Sequence, residues 1–128
     1  MQIKIATDSP TQRRILENCL RKLGLGPVQT YPSGQELLDD AQSGNTKLII
    51  LSKQLPDMTG LDCTRKLHNQ QERGGKFIPV LLAGSEFTKA QVIEAIQTGV
   101  SQLIVTPIIA GELGKKVEAI QSAFNSAA

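Results

Sequence analysis

Polar and turn-forming residues stand directly after four apolar segments, and these are the positions that could do chemistry. They are, in chain order, Thr7, Asp8, Ser9, Ser52, Lys53, Gly84, Ser85, Thr106 and Pro107. Carboxylates bind Mg²⁺ and act as the nucleophiles that form acyl phosphates, and lysine stabilises phosphoryl oxygens. The nine positions supply one carboxylate, Asp8, and one lysine, Lys53. A phosphoryl-transfer site at these positions would therefore bind Mg²⁺ weakly.

Composition excludes several other chemistries. The 128 residues include one histidine, His68, and two cysteines, Cys19 and Cys63, so a histidine metal cage and a disulfide framework are excluded. A net charge of +2 gives no basic footprint for nucleic acid. No phosphate-binding glycine motif occurs, and no apolar run approaches the roughly 20 residues that span a bilayer. We expect a cytoplasmic protein with reduced, buried cysteines and no membrane contact.

Short apolar runs alternate with segments of helical period, which predicts the order βαβαβαβαβα in one domain, residues 1–128. Strands are predicted at 2–7, 28–31, 47–52, 77–83 and 102–106. Helices are predicted at 10–23, from Ser33 to Gly44, at about 61–70, from Thr88 to Gly99, and through Leu113 and Phe124. This alternation favours an α/β fold with a parallel sheet and helices on both faces. Ligands bind such sheets beyond the carboxyl ends of the strands, where the nine positions lie.

Local signals refine these elements. Ser9 with Pro10, Ser33 with Glu36, and Thr88 with Gln91 are typical of helix N-termini, and Gly99 is typical of a helix end. Lys4 predicts a half-exposed first strand. We predict that three aromatic side chains pack in the core, namely those of Tyr31, Phe77 and Phe124.

Three segments carry a family resemblance: TDSPTQRRIL, LSKQLPDMTGLD and the VTP that ends the fifth strand. LPDMTG is similar to the MPxMDG turn of the receiver domain of bacterial response regulators, the family of the small chemotaxis response regulator. PVLLAGSE and QTGVSQLIVTP are similar to its fourth-strand and fifth-strand segments. The resemblance implies a flavodoxin-like (βα)5 three-layer sandwich with strand order 2-1-3-4-5. It also implies a signalling domain of two-component phosphorelays rather than an enzyme.

The resemblance places the family's phosphorylation residues on atypical side chains. Its acidic pair falls on Thr7 and Asp8, its phosphoacceptor aspartate on Ser52, and its lysine on Thr106. Its strand-four hydroxyl residue falls on Gly84 and its switch aromatic on Leu103. We therefore expect a degenerate receiver with no cofactor, weak or absent Mg²⁺ binding, and no aspartyl phosphorylation. The vestigial pocket would consist of Thr7, Asp8, Lys53, Gly84, Ser85, Thr106 and Pro107.

Particular contacts are expected around this pocket. Asp8 is predicted to pair with Lys53, and the Ser52 hydroxyl to bond to backbone. Asp57 is predicted to form the turn after Pro56. The resemblance implies a cis peptide bond between Thr106 and Pro107. A basic stripe on the first helix is predicted to be a solvated face, namely Arg13, Arg14, Arg21 and Lys22.

Output is expected to pass through a protein partner, a histidine kinase or a signalling effector. The family commonly uses the surface of helix four, strand five and helix five, which predicts contacts at Phe87, Ile104, Lys115 and Lys116, and a homodimer through the same surface. Three alternatives stay open. One is a receiver phosphorylated at a displaced acid, Asp57 or Asp8. Another is a flavodoxin-like module that binds a small molecule such as a flavin. The third is a receiver domain that belongs to a longer chain.

Overall fold

The computed structural model describes residues 2–127, with side chains as far as Ala123. Five parallel strands form one sheet of order β2-β1-β3-β4-β5. The strands are β1 Gln2–Ala6, β2 Val28–Tyr31, β3 Thr46–Ser52, β4 Val80–Gly84 and β5 Gln102–Val105. The helices are α1 Pro10–Lys22, α2 Gly34–Asp40, α3 Gly60–Glu72, α4 Lys89–Thr98 and α5 Ala110–Ala127. The predicted three-layer flavodoxin-like fold is confirmed.

Two apolar clusters cover the two faces of the sheet. Ile49 and Leu51 of β3 belong to the cluster formed with α2, α3 and α4. Leu48 and Ile50 belong to the cluster formed with α1 and α5. This alternation follows from the period of two along a strand, and a strand covered on both faces is almost wholly apolar.

Both cysteines are buried and free, as predicted. Burial raises the pKa of the Cys63 thiol to about 12, so this side chain is held in its unreactive thiol form. Among the helices that the structure describes, none has the length and apolar character needed to cross a membrane.

The predicted helix starts are confirmed by their caps. The hydroxyls of Ser9, Ser33 and Thr88 each accept a hydrogen bond from the backbone N–H of the third residue of their helices. Thr88 and Gln91 form a complete capping box, since the Gln91 side chain also accepts from the Thr88 N–H at 2.9 Å. Gly99 ends α4 with φ of 101°, a conformation that favours glycine.

Two predictions about individual side chains are wrong. Lys4 is fully buried, because β1 lies between β2 and β3 and α2 covers its face. Phe77 is 53% exposed, because the strand ladder begins only at Val80. Pro79 lacks an N–H group, but its carbonyl accepts from the Ile49 N–H at 3.0 Å. Phe124 has its side chain outside the described residues.

The Lys4 ammonium is neutralised by groups at the end of α2. It donates to the Asp40 and Ser43 carbonyls and to the Ser43 hydroxyl, and it lies 3.6 Å from the Asp40 carboxylate. The Tyr31 hydroxyl donates to the same carboxylate. Cations favour helix C-termini, where carbonyls lack intrahelical partners, so the buried charge stabilises the short helix α2 against the sheet.

Candidate functional site

The parallel register brings the predicted pocket residues together at the carboxyl edge of the sheet. Ser52 lies opposite Ala83 on β4, and Gly84 lies opposite Val105 on β5. Thr7 follows Ala6, which lies opposite Leu51. Four strand ends therefore meet around Ser52, as the sequence predicts.

Ser52 lies at the centre of this edge and is 8% exposed. Its hydroxyl is 3.5 Å from the Gln12 side-chain oxygen of α1, so the predicted bond to backbone is wrong. Gly60, the first residue of α3, allows the close approach behind it, since a Cβ there would lie 2.6 Å from the Ser52 carbonyl oxygen. The Ser52 hydroxyl therefore faces an amide acceptor, and no basic group polarises it.

The first pair of pocket residues divides between buried and exposed. Thr7 is buried, and its hydroxyl accepts from the Ser9 N–H at 3.2 Å. Asp8 is exposed, and it forms no hydrogen bond or ion pair with the described residues. The predicted pair between Asp8 and Lys53 is wrong, because the lysine side chain turns toward α4.

Lys53 bridges two loops of the edge. Its ammonium donates to the Glu86 carbonyl and to the Gln91 side-chain oxygen, each at 2.9 Å. The same nitrogen lies 5.2 Å from the centre of the Phe87 ring, within the range of a cation–π contact. These contacts engage the lysine within the protein, and they were missed because no local sequence pattern marks them.

Asp57 caps a neighbouring helix rather than only forming a turn. Its two carboxylate oxygens accept from the Gln35 and Gly34 N–H groups at the start of α2, each at 2.9 Å. These hydrogen bonds hold the pKa of the Asp57 carboxyl below its usual value, and the bond from the Gln35 N–H has a larger effect than the bond from the Gly34 N–H. This carboxylate contributes stability above its unfolded-state pKa, and the contribution is lost as pH falls through the lower folded-state pKa.

The end of β5 completes the pocket. The peptide bond between Thr106 and Pro107 is cis, as the resemblance implies. The Thr106 N–H donates to the Gly84 carbonyl at 2.9 Å. Leu103, at the switch-aromatic position, is half-buried against the cluster of α2, α3 and α4. Ser85 is exposed.

The donor set of this edge does not fit a magnesium ion. Among the predicted pocket positions Asp8 is the one carboxylate, whereas Thr7 and Ser52 supply neutral hydroxyls. Over the described part of the chain, no three histidine, cysteine or acidic side chains are arranged to hold a metal. Mg²⁺ prefers octahedral oxygen ligands that include one or two carboxylates, so the edge offers it little beyond Asp8.

Comparison with known proteins shows the family to which this chain belongs. Residues 3–118 match the profile of the response regulator receiver domain. The chain belongs to the response regulator receiver family. The receiver is 35% identical over 125 residues to the chemotaxis protein CheY of Pseudomonas aeruginosa, covering 98% of this chain and 99% of that protein. It is 34% identical over 120 residues to CheY-3 of Vibrio cholerae, covering 94% and 91%.

Solved structures share the receiver fold. CheY4 of Vibrio cholerae superposes with a TM-score of 0.83 at 24% identity, covering 93% of this chain and 97% of that chain. A co-crystal structure contains the Saccharomyces cerevisiae histidine phosphotransfer signalling protein Ypd1 and the receiver domain of its downstream response regulator Ssk1. Its matching chain gives a TM-score of 0.80 at 19% identity, covering 91% and 86%.

The receiver carries an apolar stripe across α4, β5 and the start of α5. It consists of four exposed side chains, Ile93, Ile96, Val105 and Ile109. Ile96 is 67% exposed and Val105 is 57% exposed. Sequence reasoning missed these residues, although the helical spacing of 93 and 96 and the strand alternation around 105 both point to one face.

The predicted partner residues fit this surface only in part. Ile104 is 3% exposed and packs inward with α1 and α5, so its predicted surface role is wrong. Phe87 is half-buried beneath Lys53 and is not an exposed anchor. Lys115 is exposed. Lys116 is half-buried and lines a hollow of about 300 Å³ with Ile96 and Leu103.

Proposed function

We propose that this receiver acts in two-component signalling by binding a protein partner, without aspartyl phosphorylation. The observation that carries the proposal is Ser52 at the end of β3. The exposed carboxylate of the pocket is Asp8, and Thr106 stands where the family has a lysine. In the family's arrangement an aspartate, a second acid and a lysine occupy these positions. The neutral replacements remove both the nucleophile and the charges that stabilise a phosphoryl group.

The joint loss of acids and lysine supports a site that is silent by nature. Removing only the lysine or only the acids would leave uncompensated charge in a largely buried pocket, which is strongly destabilising. Here the two charged side chains are not left unsolvated, because Asp8 is exposed to solvent and the Lys53 ammonium donates to the Glu86 carbonyl and the Gln91 side-chain oxygen. The fold therefore keeps its stability without a metal ion or a phosphoryl group.

A displaced phosphoacceptor has weaker support. Both oxygens of Asp57 accept backbone hydrogen bonds, and its lowered pKa makes its carboxylate a weaker nucleophile. Asp8 is accessible, but the structure places no lysine ammonium beside it within the described residues. We therefore favour a receiver that takes up no phosphoryl group at either acid.

The apolar stripe is the proposed partner surface. Isolated exposed apolar residues are ordinary, but four of them on three adjacent elements form a patch that is typical of protein interaction sites. Lys116 and Lys115 lie on the neighbouring α5 and would favour an acidic side chain in the partner. We propose a two-component protein as the partner, either a histidine kinase or a downstream effector, in the cytoplasm.

Charge substitutions on the stripe are expected to abolish partner binding. Ile96→Glu combined with Val105→Glu should reduce retention of the partner in affinity purification at least about tenfold, since each buries a charge in an apolar contact. Quantitative mass spectrometry of the retained proteins measures the effect. Phe77→Glu is the matched control, because Phe77 is also exposed but lies at the opposite edge of the sheet.

Equal retention by the stripe variant and the Phe77→Glu control would contradict the proposed surface.

Sedimentation of the purified receiver separates a homodimer from a heterologous partner, since only a homodimer through the stripe dissociates on substitution in the absence of other proteins. A flavin-bound preparation would absorb visible light, so absorbance of the purified chain tests the small-molecule alternative.

A further inference from the structure

We infer that Lys53 forms a bridge between groups of this chain that fixes the β4–α4 loop and the first turn of α4 in one conformation. The Lys53 bridge consists of Lys53, Phe87 and Gln91, with the Glu86 carbonyl as a second acceptor. It joins the end of β3 to the start of α4. Its existence does not depend on the proposed function, although its consequence for partner binding does.

The bridge has a rigid origin at the end of β3. The Lys53 N–H donates to the Ala83 carbonyl at 2.7 Å, and its carbonyl accepts from the Gly60 N–H at 2.9 Å. Both bonds hold the backbone of Lys53 between β4 and α3. The flexible part of the bridge is therefore only the lysine side chain, which crosses directly over the end of β4.

Gly84 makes room for this crossing. A Cβ at Gly84 would lie 2.9 Å from Lys53 Cδ and 3.0 Å from Phe87 Cζ, closer than side chains pack. The lysine stem and the aromatic ring thus occupy the space that any side chain at this position would need. The absence of a side chain at Gly84 and the path of the Lys53 stem therefore form one packing arrangement.

Gln91 transmits the bridge to α4. Its side-chain oxygen accepts both from the Lys53 ammonium and from the Thr88 N–H, each at 2.9 Å. The Thr88 hydroxyl in turn accepts from the Gln91 N–H at 3.1 Å. One amide oxygen therefore couples the lysine to the capping box that starts the helix carrying Ile93 and Ile96. The bridge holds the α4 part of the apolar stripe in place.

Hydrogen exchange of the free receiver tests the bridge directly. Lys53→Met keeps an apolar stem but loses the ammonium, so amides of residues 86–92 are expected to exchange about tenfold faster, as the loss of a hydrogen bond to a charged group predicts. Gly84→Thr is expected to have the same effect by displacing the lysine stem. Lys76→Met, at an exposed lysine of the α3–β4 loop, is the control and should leave this segment unchanged.

A substitution of opposite sign makes the test independent of general destabilisation. Gln91→Glu preserves the capping box and places a carboxylate against Lys53, so exchange of residues 86–92 is expected to slow severalfold. The bridge is ruled out if Lys53→Met leaves this segment's exchange unchanged, or if Gln91→Glu accelerates it. Because the free chain is measured, such a failure would leave the proposals on phosphorylation and partner binding untouched.

Discussion

Replacing Thr7 and Ser52 with aspartate and Thr106 with lysine in one chain is expected to create a receiver that accepts a phosphoryl group from acetyl phosphate. The three positions lie at the carboxyl ends of β1, β3 and β5, on one edge of the sheet, so the new side chains would converge with Asp8 on one pocket. The set would then contain three carboxylates, which suit Mg²⁺, and a lysine to stabilise phosphoryl oxygens.

Single replacements are expected to fall short of this gain. Ser52→Asp alone would place a largely buried carboxyl group near the Gln12 side-chain oxygen without a cation, which raises its pKa and leaves less of it as the ionised carboxylate that attacks a phosphoryl group. Phosphorylation of the single variant should be at least about 100-fold slower than that of the triple variant, comparable to the loss of one stabilising group at a reacting centre.

Intact-mass measurement after incubation with acetyl phosphate and Mg²⁺ compares these variants. Circular dichroism of each variant checks that it is folded, because added buried charges can destabilise the pocket. A triple variant that is folded but takes up no phosphoryl group would contradict the assignment of these three positions. Equal uptake by Ser52→Asp alone would show that the lysine and second acid are not what the native pocket lacks.

Truncating Lys4 is expected to produce the largest loss of stability in the molecule. Lys4→Ala removes a buried stem and leaves the Asp40 and Ser43 carbonyls without their donor, so we expect a loss of about 3–5 kcal/mol. Lys4→Met retains most of the buried volume and should cost less, about 1–2 kcal/mol, because the Asp40 carboxylate is half-exposed and can be hydrated.

Urea denaturation at neutral pH measures both losses. Lys47→Ala is the matched control, since Lys47 is an exposed lysine on β3 and its truncation should change stability by less than about 0.5 kcal/mol. If Lys4→Ala costs no more than Lys47→Ala, the buried ammonium does not stabilise α2. A larger loss for Lys4→Met than for Lys4→Ala would contradict the roles given to the stem and the charge.

The sequence predicts well those features that local chemistry determines. Thr88 and Gln91 predict a capping box because both partners lie within one helical turn. Gly99 predicts the helix end because glycine tolerates the left-handed conformation found there. The convergence of pocket residues also follows from local information, since polar residues after parallel strands must meet at one edge. Strand order came from the family resemblance rather than from periodicity.

The contacts of long charged side chains were predicted wrongly from the sequence, because their charged ends bind groups far from their own positions in the chain. Lys4 was expected to reach solvent, yet its ammonium is buried at the end of α2. Lys53 was expected to reach Asp8, yet it bonds to Glu86 and Gln91 across the sheet edge. Ile104 was placed on the surface although strand alternation with exposed Val105 turns it inward. A single sequence does not show which groups distant along the chain will contact such a side chain.

The structure also connects features that look unrelated in the sequence. Gly84 lacks the side chain that would block Lys53, and Lys53 occupies the space that this side chain would fill. Thr7, Ser52 and Thr106 are together neutral where a phosphorylated receiver needs charges of both signs. The receiver fold thus carries Lys53 bonded to the start of α4, uncharged side chains at Thr7, Ser52 and Thr106, and an apolar stripe that we propose as the partner surface.

Intact-mass spectrometry of the unmodified receiver, incubated with acetyl phosphate and Mg²⁺, tests the central claim most directly. We predict no gain of a phosphoryl group under conditions that label the triple variant. A gain that is abolished by Asp8→Asn, by Asp57→Asn or by Ser52→Ala would contradict it and would identify the residue that accepts the phosphoryl group.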